Sequence, residues 1–132
     1  MKKILLTAAA ALSLATTAFA ASPVMVYASD GNGNEYQGLY TESSWMAIEV
    51  PLNALGGSVP SNLSIAVSGL PQGTYVTLDS VSTDGSNALL YVSVSRDSTE
   101  TAVNSVANIR VQSGETLLTT VQIPVYGAVY GE

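Results

Sequence analysis

From residue 23 to residue 125 the apolar side chains recur at every second position, in short runs separated by turn-forming residues. The three-to-four spacing of an amphipathic helix is absent. Alternation of period two sends successive side chains to opposite faces of a strand, and seven strands are predicted. They are Pro23 to Ser29, Ser44 to Asn53, Leu63 to Gly69, Tyr75 to Val81, Asn87 to Arg96, Val106 to Gln112 and Thr116 to Val125. In the second, Met46, Ile48, Val50 and Leu52 share a face, with Trp45, Ala47 and Glu49 opposite. In the third, Leu63, Ile65 and Val67 point inward. Ala88, Leu90, Val92 and Val94 form the apolar face of the fifth, Ala107, Ile109 and Val111 that of the sixth, and Leu117, Val121 and Ile123 that of the seventh.

The breaks between runs have their own chemistry. Asp30-Gly31-Asn32-Gly33-Asn34 is a polar run able to visit positive φ, as are Gly56-Gly57 and Gly69-Leu70-Pro71-Gln72-Gly73. Asp84-Gly85 is the strongest hairpin marker, read as a type I′ turn, and Ser113-Gly114-Glu115 closes the last hairpin. Residues 97–104 form a polar connector with room for one helical turn. Pro51 and Pro124 fall late in their strands, which predicts an edge or a bulge at each, since proline cannot donate to a ladder. Seven strands in about 110 residues, each with one apolar face, predict an all-β fold: a two-sheet antiparallel β-sandwich.

The run Leu63-Ser-Ile-Ala-Val-Ser-Gly-Leu-Pro-Gln-Gly73, a Thr/Val-rich strand, Asp84-Gly85, Leu89 to Val94 and a closing hairpin together resemble bacterial immunoglobulin-like (Ig-like) domains. The Ser-Gly-Leu-Pro-x-Gly turn is the most specific part of the likeness, which covers Ser43 to Tyr126. The resemblance implies a Greek-key sandwich with an extracellular adhesive, spacer or carbohydrate-associated role, and it carries no shared active site. Ig-like sandwiches host many unrelated functions.

The first twenty residues read as a signal peptide. Lys2 and Lys3 precede an apolar run from Ile4 to Ala15, and Ala18-Phe19-Ala20 offers small residues at the positions a signal peptidase reads. The run is shorter than the roughly 20 apolar residues needed to span a bilayer. Cleavage after Ala20 removes both lysines and leaves Arg96 and Arg110 as the only basic side chains beside ten acidic ones. The expected organisation is thus a signal peptide at 1–20, an N-terminal strand and Gly/Asn loop at 21–42 that is part of the sandwich or exchangeable, a sandwich core at 43–126 and a tail at 127–132. The protein is expected to be exported to the periplasm, cell surface or exterior.

Charge and composition narrow the chemistry. An acidic chain has the wrong sign for a nucleic-acid partner, and membrane insertion is not expected. The chain contains no Cys and no His, which removes thiolate metal sites, disulfides and the usual general base at neutral pH. A Ser–Lys dyad needs a lysine that the cleaved chain lacks. Glu49 and Asp79 lie on different predicted strands, so the proximity that carboxylate acid–base work needs has no support in the sequence, and no catalytic residue is assigned. No cofactor is expected. Asp30, Asn32, Asn34 and Glu35 offer oxygen ligands in calcium-loop fashion, but the glycine and glutamate positions of an EF-hand loop are wrongly filled.

Exposed aromatics are the better candidates for a ligand or interface: Trp45, Tyr36, Tyr40, Tyr75, Tyr91, Tyr126 and Tyr130. Flat rings stack on sugar faces and anchor protein interfaces. A one-residue slip would instead put Trp45 in the core, and the tyrosines could equally be cross-strand packing. The first strand, with Val24 and Val26, and the Tyr-Gly tail are candidates for strand exchange between subunits. Expected partners are therefore further copies of the chain, another surface protein or a glycan. The preferred function is a non-catalytic structural or adhesive protein, as a self-assembling subunit of an extracellular fibre or surface layer. A carbohydrate-binding module or an accessory domain of an exported complex is the alternative.

Overall fold

The computed structural model describes residues 23–129, so the signal peptide and Tyr130 lie outside the described residues. Ten strands follow in order: β1 (Val24–Met25), β2 (Ala28–Ser29), β3 (Glu35–Tyr36), β4 (Leu39–Tyr40), β5 (Ser43–Pro51), β6 (Leu63–Ser68), β7 (Thr74–Asp84), β8 (Asn87–Arg96), β9 (Val103–Ser113) and β10 (Thr116–Gly127). One sheet runs β1-β10-β9-β6, with β4 also on β10; the other runs β3-β2-β5-β8-β7. The pairings are antiparallel except β1 and β4, which both lie parallel to β10. The fold is an all-β sandwich of two sheets. Its long strands are β5, β8 and β7 in one sheet and β10, β9 and β6 in the other. No helix among the described residues is long and apolar enough to cross a membrane.

The predicted inward faces supply the core. Met46, Ile48 and Val50 from β5 and Leu90, Val92 and Val94 from β8 meet Ile109 and Val111 from β9 and Val121, Ile123 and Val125 from β10. Each such side chain removed from water contributes roughly 1.5–3 kcal/mol. Leu39 is fully buried with them, on a two-residue strand that its short sequence run did not announce.

Several expectations are corrected. The run Pro23 to Ser29 is not one strand: β1 joins β10 in one sheet and β2 joins β5 in the other, so the chain changes sheet at Val26 and Tyr27. Val26 is buried, whereas Val24 is exposed. Leu117 points outward, because the β9–β10 register shifts between Leu117 and Thr119; Leu118 packs against the core instead. In the hairpin between β7 and β8 the two loop residues are Gly85 and Ser86. Only Gly85, at φ 63°, is left-handed, which fits a type II′ turn rather than type I′. Residues 97–104 hold no helical turn.

The proline expectation has a clear outcome at Pro124. On the outer side of β10, β1 pairs with Val121 and Gln122 while β4 pairs with Val125 and Tyr126. Pro124, which has no N–H to satisfy, sits between them. Gly38 crosses its carbonyl so closely that a Cβ there would lie 2.5 Å from the oxygen.

One polar clamp ties the ends of these elements. The Arg96 guanidinium donates through Nε and Nη2 to both oxygens of Glu42, at 2.9 and 2.8 Å, and also to the carbonyls of Thr101 (2.7 Å) and Ala128 (2.9 Å). Glu42 is the one non-glycine residue with positive φ (59°) among the described residues. Its N–H donates to the Val94 carbonyl at 2.7 Å, so both backbone and side chain hold it in a conformation that L-residues disfavour. The arginine holds the Glu42 carboxyl below its ordinary range.

Candidate functional site

The sequence candidates separate into distinct places. Four aromatic rings form a row across one end of the sandwich. The β5–β8 register shifts between Ser43 and Met46, and this bulge coincides with Trp45 standing exposed while Met46 is buried. Tyr36, on the two-residue edge strand β3, meets Trp45 edge-on with centroids 5.4 Å apart and planes at 71°. Tyr36 also meets Tyr40 at 6.0 Å and 79°. Tyr40 and Tyr126 are register partners between β4 and β10, with ring centroids at 6.4 Å. The row therefore crosses from one sheet to the other, and edge-to-face contacts of this kind are worth about 0.5–1.5 kcal/mol each beyond area burial.

Tyr40 and Tyr126 continue into an open groove of about 470 Å³ whose lining includes Thr41, Val103, Asn104 and Gly127. Gly127 belongs there for steric reasons: a Cβ at this position would come within 2.6 Å of Thr41 Oγ1. The groove thus presents exposed aromatic surface beside the Asn104 amide, a mixture suited to amphipathic ligands.

The remaining tyrosines do not join this row. The Tyr75 hydroxyl donates to Asp97 Oδ2 at 3.0 Å, and this bond to a carboxylate raises the Tyr75 pKa above its ordinary value. Tyr91 is half-buried beneath the Asp30 loop, where its hydroxyl occupies the space that a side chain on Gly31 would need. Tyr130 lies outside the described residues.

The Asp30 loop satisfies itself. Asp30 Oδ1 accepts the N–H groups of Asn32 (2.8 Å) and Asn34 (3.3 Å), and Oδ2 accepts Asn34 Nδ2 at 2.7 Å. The Asn34 side chain, followed by the Asn32 N–H, holds the carboxyl below its ordinary range. Gly31 N–H adds a bond to Ser29 Oγ at 3.0 Å. Glu35, the fourth proposed calcium ligand, is directed elsewhere, toward Glu49. Among the described residues no cluster of three or more acidic side chains is placed to hold a metal ion.

Glu49 and Asp79 have different neighbours. Asp79 accepts a hydrogen bond from Ser93 Oγ at 2.6 Å and is not Glu49's partner. Glu49 is pushed up to about 7 by burial, by a hydrogen bond shared with Glu35, and by the negative charges of Glu35 and Asp84. The register explains this meeting: Ser29 on β2 lies between Glu35 on β3 and Ala47 on β5, two residues from Glu49. Sequence spacing alone gave no sign of it, because β3 is only two residues long.

No family model, curated protein or solved structure matches the chain.

Proposed function

We propose that the protein is a secreted, non-catalytic structural or adhesive component that associates with copies of itself, as in an extracellular fibre or surface layer. The observation that carries this reading is the N-terminal segment. Val24, Met25 and Tyr27 are each more than half exposed, on a segment held to β10 by a two-residue parallel ladder and one further bond, from Val26 N–H to the Gln122 carbonyl at 3.0 Å. Adjacent exposed apolar side chains on a weakly tied strand suit contact with another molecule more than an isolated monomer surface. The export signal read at residues 1–20 and the Ig-like resemblance supply the extracellular part of the proposal. Light scattering and electron microscopy of purified residues 21–132 over a wide concentration range test it. Concentration-dependent growth into assemblies is expected; a strict monomer throughout, unaffected by trimming the N-terminal segment, would overturn it.

A second reading is favoured by the aromatic row. Trp45 and Tyr40 are exposed, and the groove beside Tyr40 offers the exposed Asn104 as a polar partner, as a glycan site would require. A glycan array probed with the protein and its Trp45→Ala variant tests this. Binding lost in the variant supports the reading, and absence of binding by either removes it.

A further inference from the structure

The two sheets present four outer edges, and three are blunted. β3 is two residues long and carries Glu35. β7 is interrupted by a register shift between Leu78 and Ser80, where Asp79 introduces a charge. The outer side of β10 is occupied by β1 and β4, with Pro124 between them. Natural sheets protect their edges by shortness, charge, bulges or covering segments. β6 has none of these: Leu63 to Ser68 pairs with β9 in unbroken register and contains no charged residue, no proline and no bulge.

Beside β6 the sandwich is open. A groove of about 500 Å³ separates its edge from β7, lined by Ile65, Val67, Leu70 and Val76 among others. These four pack against the core while remaining partly exposed. The flank therefore combines a free backbone ladder with wet apolar side chains, the two features that strand addition uses.

Exposure and charge together point to the occupant: Val24, Met25 and Tyr27 are exposed on the two-residue strand β1 and its flanks. Residues 50–78 contain no Asp, Glu, Lys or Arg, and neither do residues 21–29. Copies of an acidic chain repel wherever their charged surfaces meet, so an exposed uncharged strand and an exposed uncharged edge can meet without that penalty. We propose that the β6–β7 flank accepts the N-terminal strand of a second copy, with residues 23–27 adding to the free edge of β6 after leaving the β10 ladder, the buried site of Val26 and the bond from Glu49 N–H to the Tyr27 carbonyl. This rests on the self-association reading. Five residues at about 3.3 Å each span roughly 17 Å, close to the length of the six-residue edge. Donor and acceptor lie at opposite margins of the same sheet. The contact is consequently head-to-tail, the kind that builds a ring where the rotation closes and an open filament where it does not.

The absence of cysteine from the chain permits a direct test. A Met25→Cys protein is mixed under mild oxidation with a Ser64→Cys or a Ser68→Cys protein, both exposed positions on β6, and with a Glu115→Cys control. Crosslinking requires Cα atoms within about 7 Å. Disulfide-linked dimers between position 25 and β6, exceeding the control at least tenfold, are expected. Ser68→Glu, confirmed as folded by circular dichroism, should lower the assembled fraction at least tenfold. Assemblies that crosslink only β6 to β6, or position 25 to position 25, would overturn the donor–acceptor assignment while leaving self-association intact. Monomers at every concentration would overturn both.

Discussion

Replacing Arg96 with methionine keeps much of the aliphatic stem and deletes the guanidinium. Two oxygens of Glu42 and the carbonyls of Thr101 and Ala128 then lose their donor together. The pair is asymmetric: the arginine side chain is 2% exposed, while that of Glu42 is 36% exposed. Breaking a fully buried pair costs about 3–5 kcal/mol, and an exposed pair is worth only about 0–1 kcal/mol. Glu42 can recover much of its hydration after the substitution, so its share falls toward the lower limit. The two carbonyls add roughly 1 kcal/mol each where water reaches them poorly. The expected loss is about 2–3 kcal/mol.

Urea unfolding followed by the fluorescence of Trp45, the chain's one tryptophan, measures this directly. With a slope of about 1–3 kcal/mol/M for a small domain, the midpoint should fall by roughly 0.7–3 M with the slope unchanged. A double-mutant cycle with Glu42→Gln should recover a coupling energy of about 1 kcal/mol. A loss below about 0.5 kcal/mol for Arg96→Met would refute the reasoning, because the clamp would then be no stronger than a solvated surface pair.

Stability should also have an optimum in mildly acid solution. Glu49 rises from its ordinary 4.5 to about 7 in the folded state; between those values the folded chain holds a proton that the unfolded chain has released, so stability falls as pH rises. The interval corresponds to on the order of 3 kcal/mol at 1.36 kcal/mol per pH unit, and Glu49→Gln should flatten this limb of a melting-temperature profile. Glu42 acts in the opposite sense: its lowered pKa gives stability that is present above the ordinary carboxylate range and is lost as pH falls through the folded value, a limb that Glu42→Gln should remove. Gly38→Ala should cost about 1–3 kcal/mol by forcing Cβ against the Pro124 carbonyl, checked by the same urea titration. Gly31→Ala should destabilise by a similar amount, and Tyr91→Phe in that background should restore part of the loss by removing the hydroxyl that Cβ meets.

The long strands were legible because alternation over many residues has one solution when a face must be buried. β5, β8 and β9 fill the core with the side chains their patterns predicted. The errors fall where a pattern is too short or a register slips. β3 and β4 have two residues each, fewer than any periodicity can reveal. A single shift in β10 exchanged Leu117 for Leu118. The same limit governed the site: Tyr36, Tyr40, Trp45 and Tyr126 were each marked as candidates, but their meeting depends on β3 and β4, which bring two sheets together at that end. Glu42 and Arg96 are separated by 54 residues, and nothing local in either neighbourhood advertises the other.

The missing lysines link these structural details to the proposed assembly. Lysine on an edge strand is a common natural defence against unwanted pairing, and none of residues 21–132 is lysine. Edge protection must then come from backbone devices and acidic groups, as at β3, β7 and β10. Acidic groups also make the molecules repel at neutral pH, and Glu49 adds charge as it ionises. Lowering the pH toward 5 should therefore do two things at once: protonate Glu49, which stabilises the fold, and weaken repulsion between copies. An uncharged β6 edge that self-associates should assemble faster under those conditions, whereas contacts built on ion pairs with Arg110 keep their carboxylates ionised at pH 5 and should fail when the arginine is replaced. Light scattering at pH 5 and pH 8, with and without Arg110→Gln, separates the two. Faster growth at pH 5 that is indifferent to Arg110 is the expected result, and growth that requires Arg110 would place the contact elsewhere.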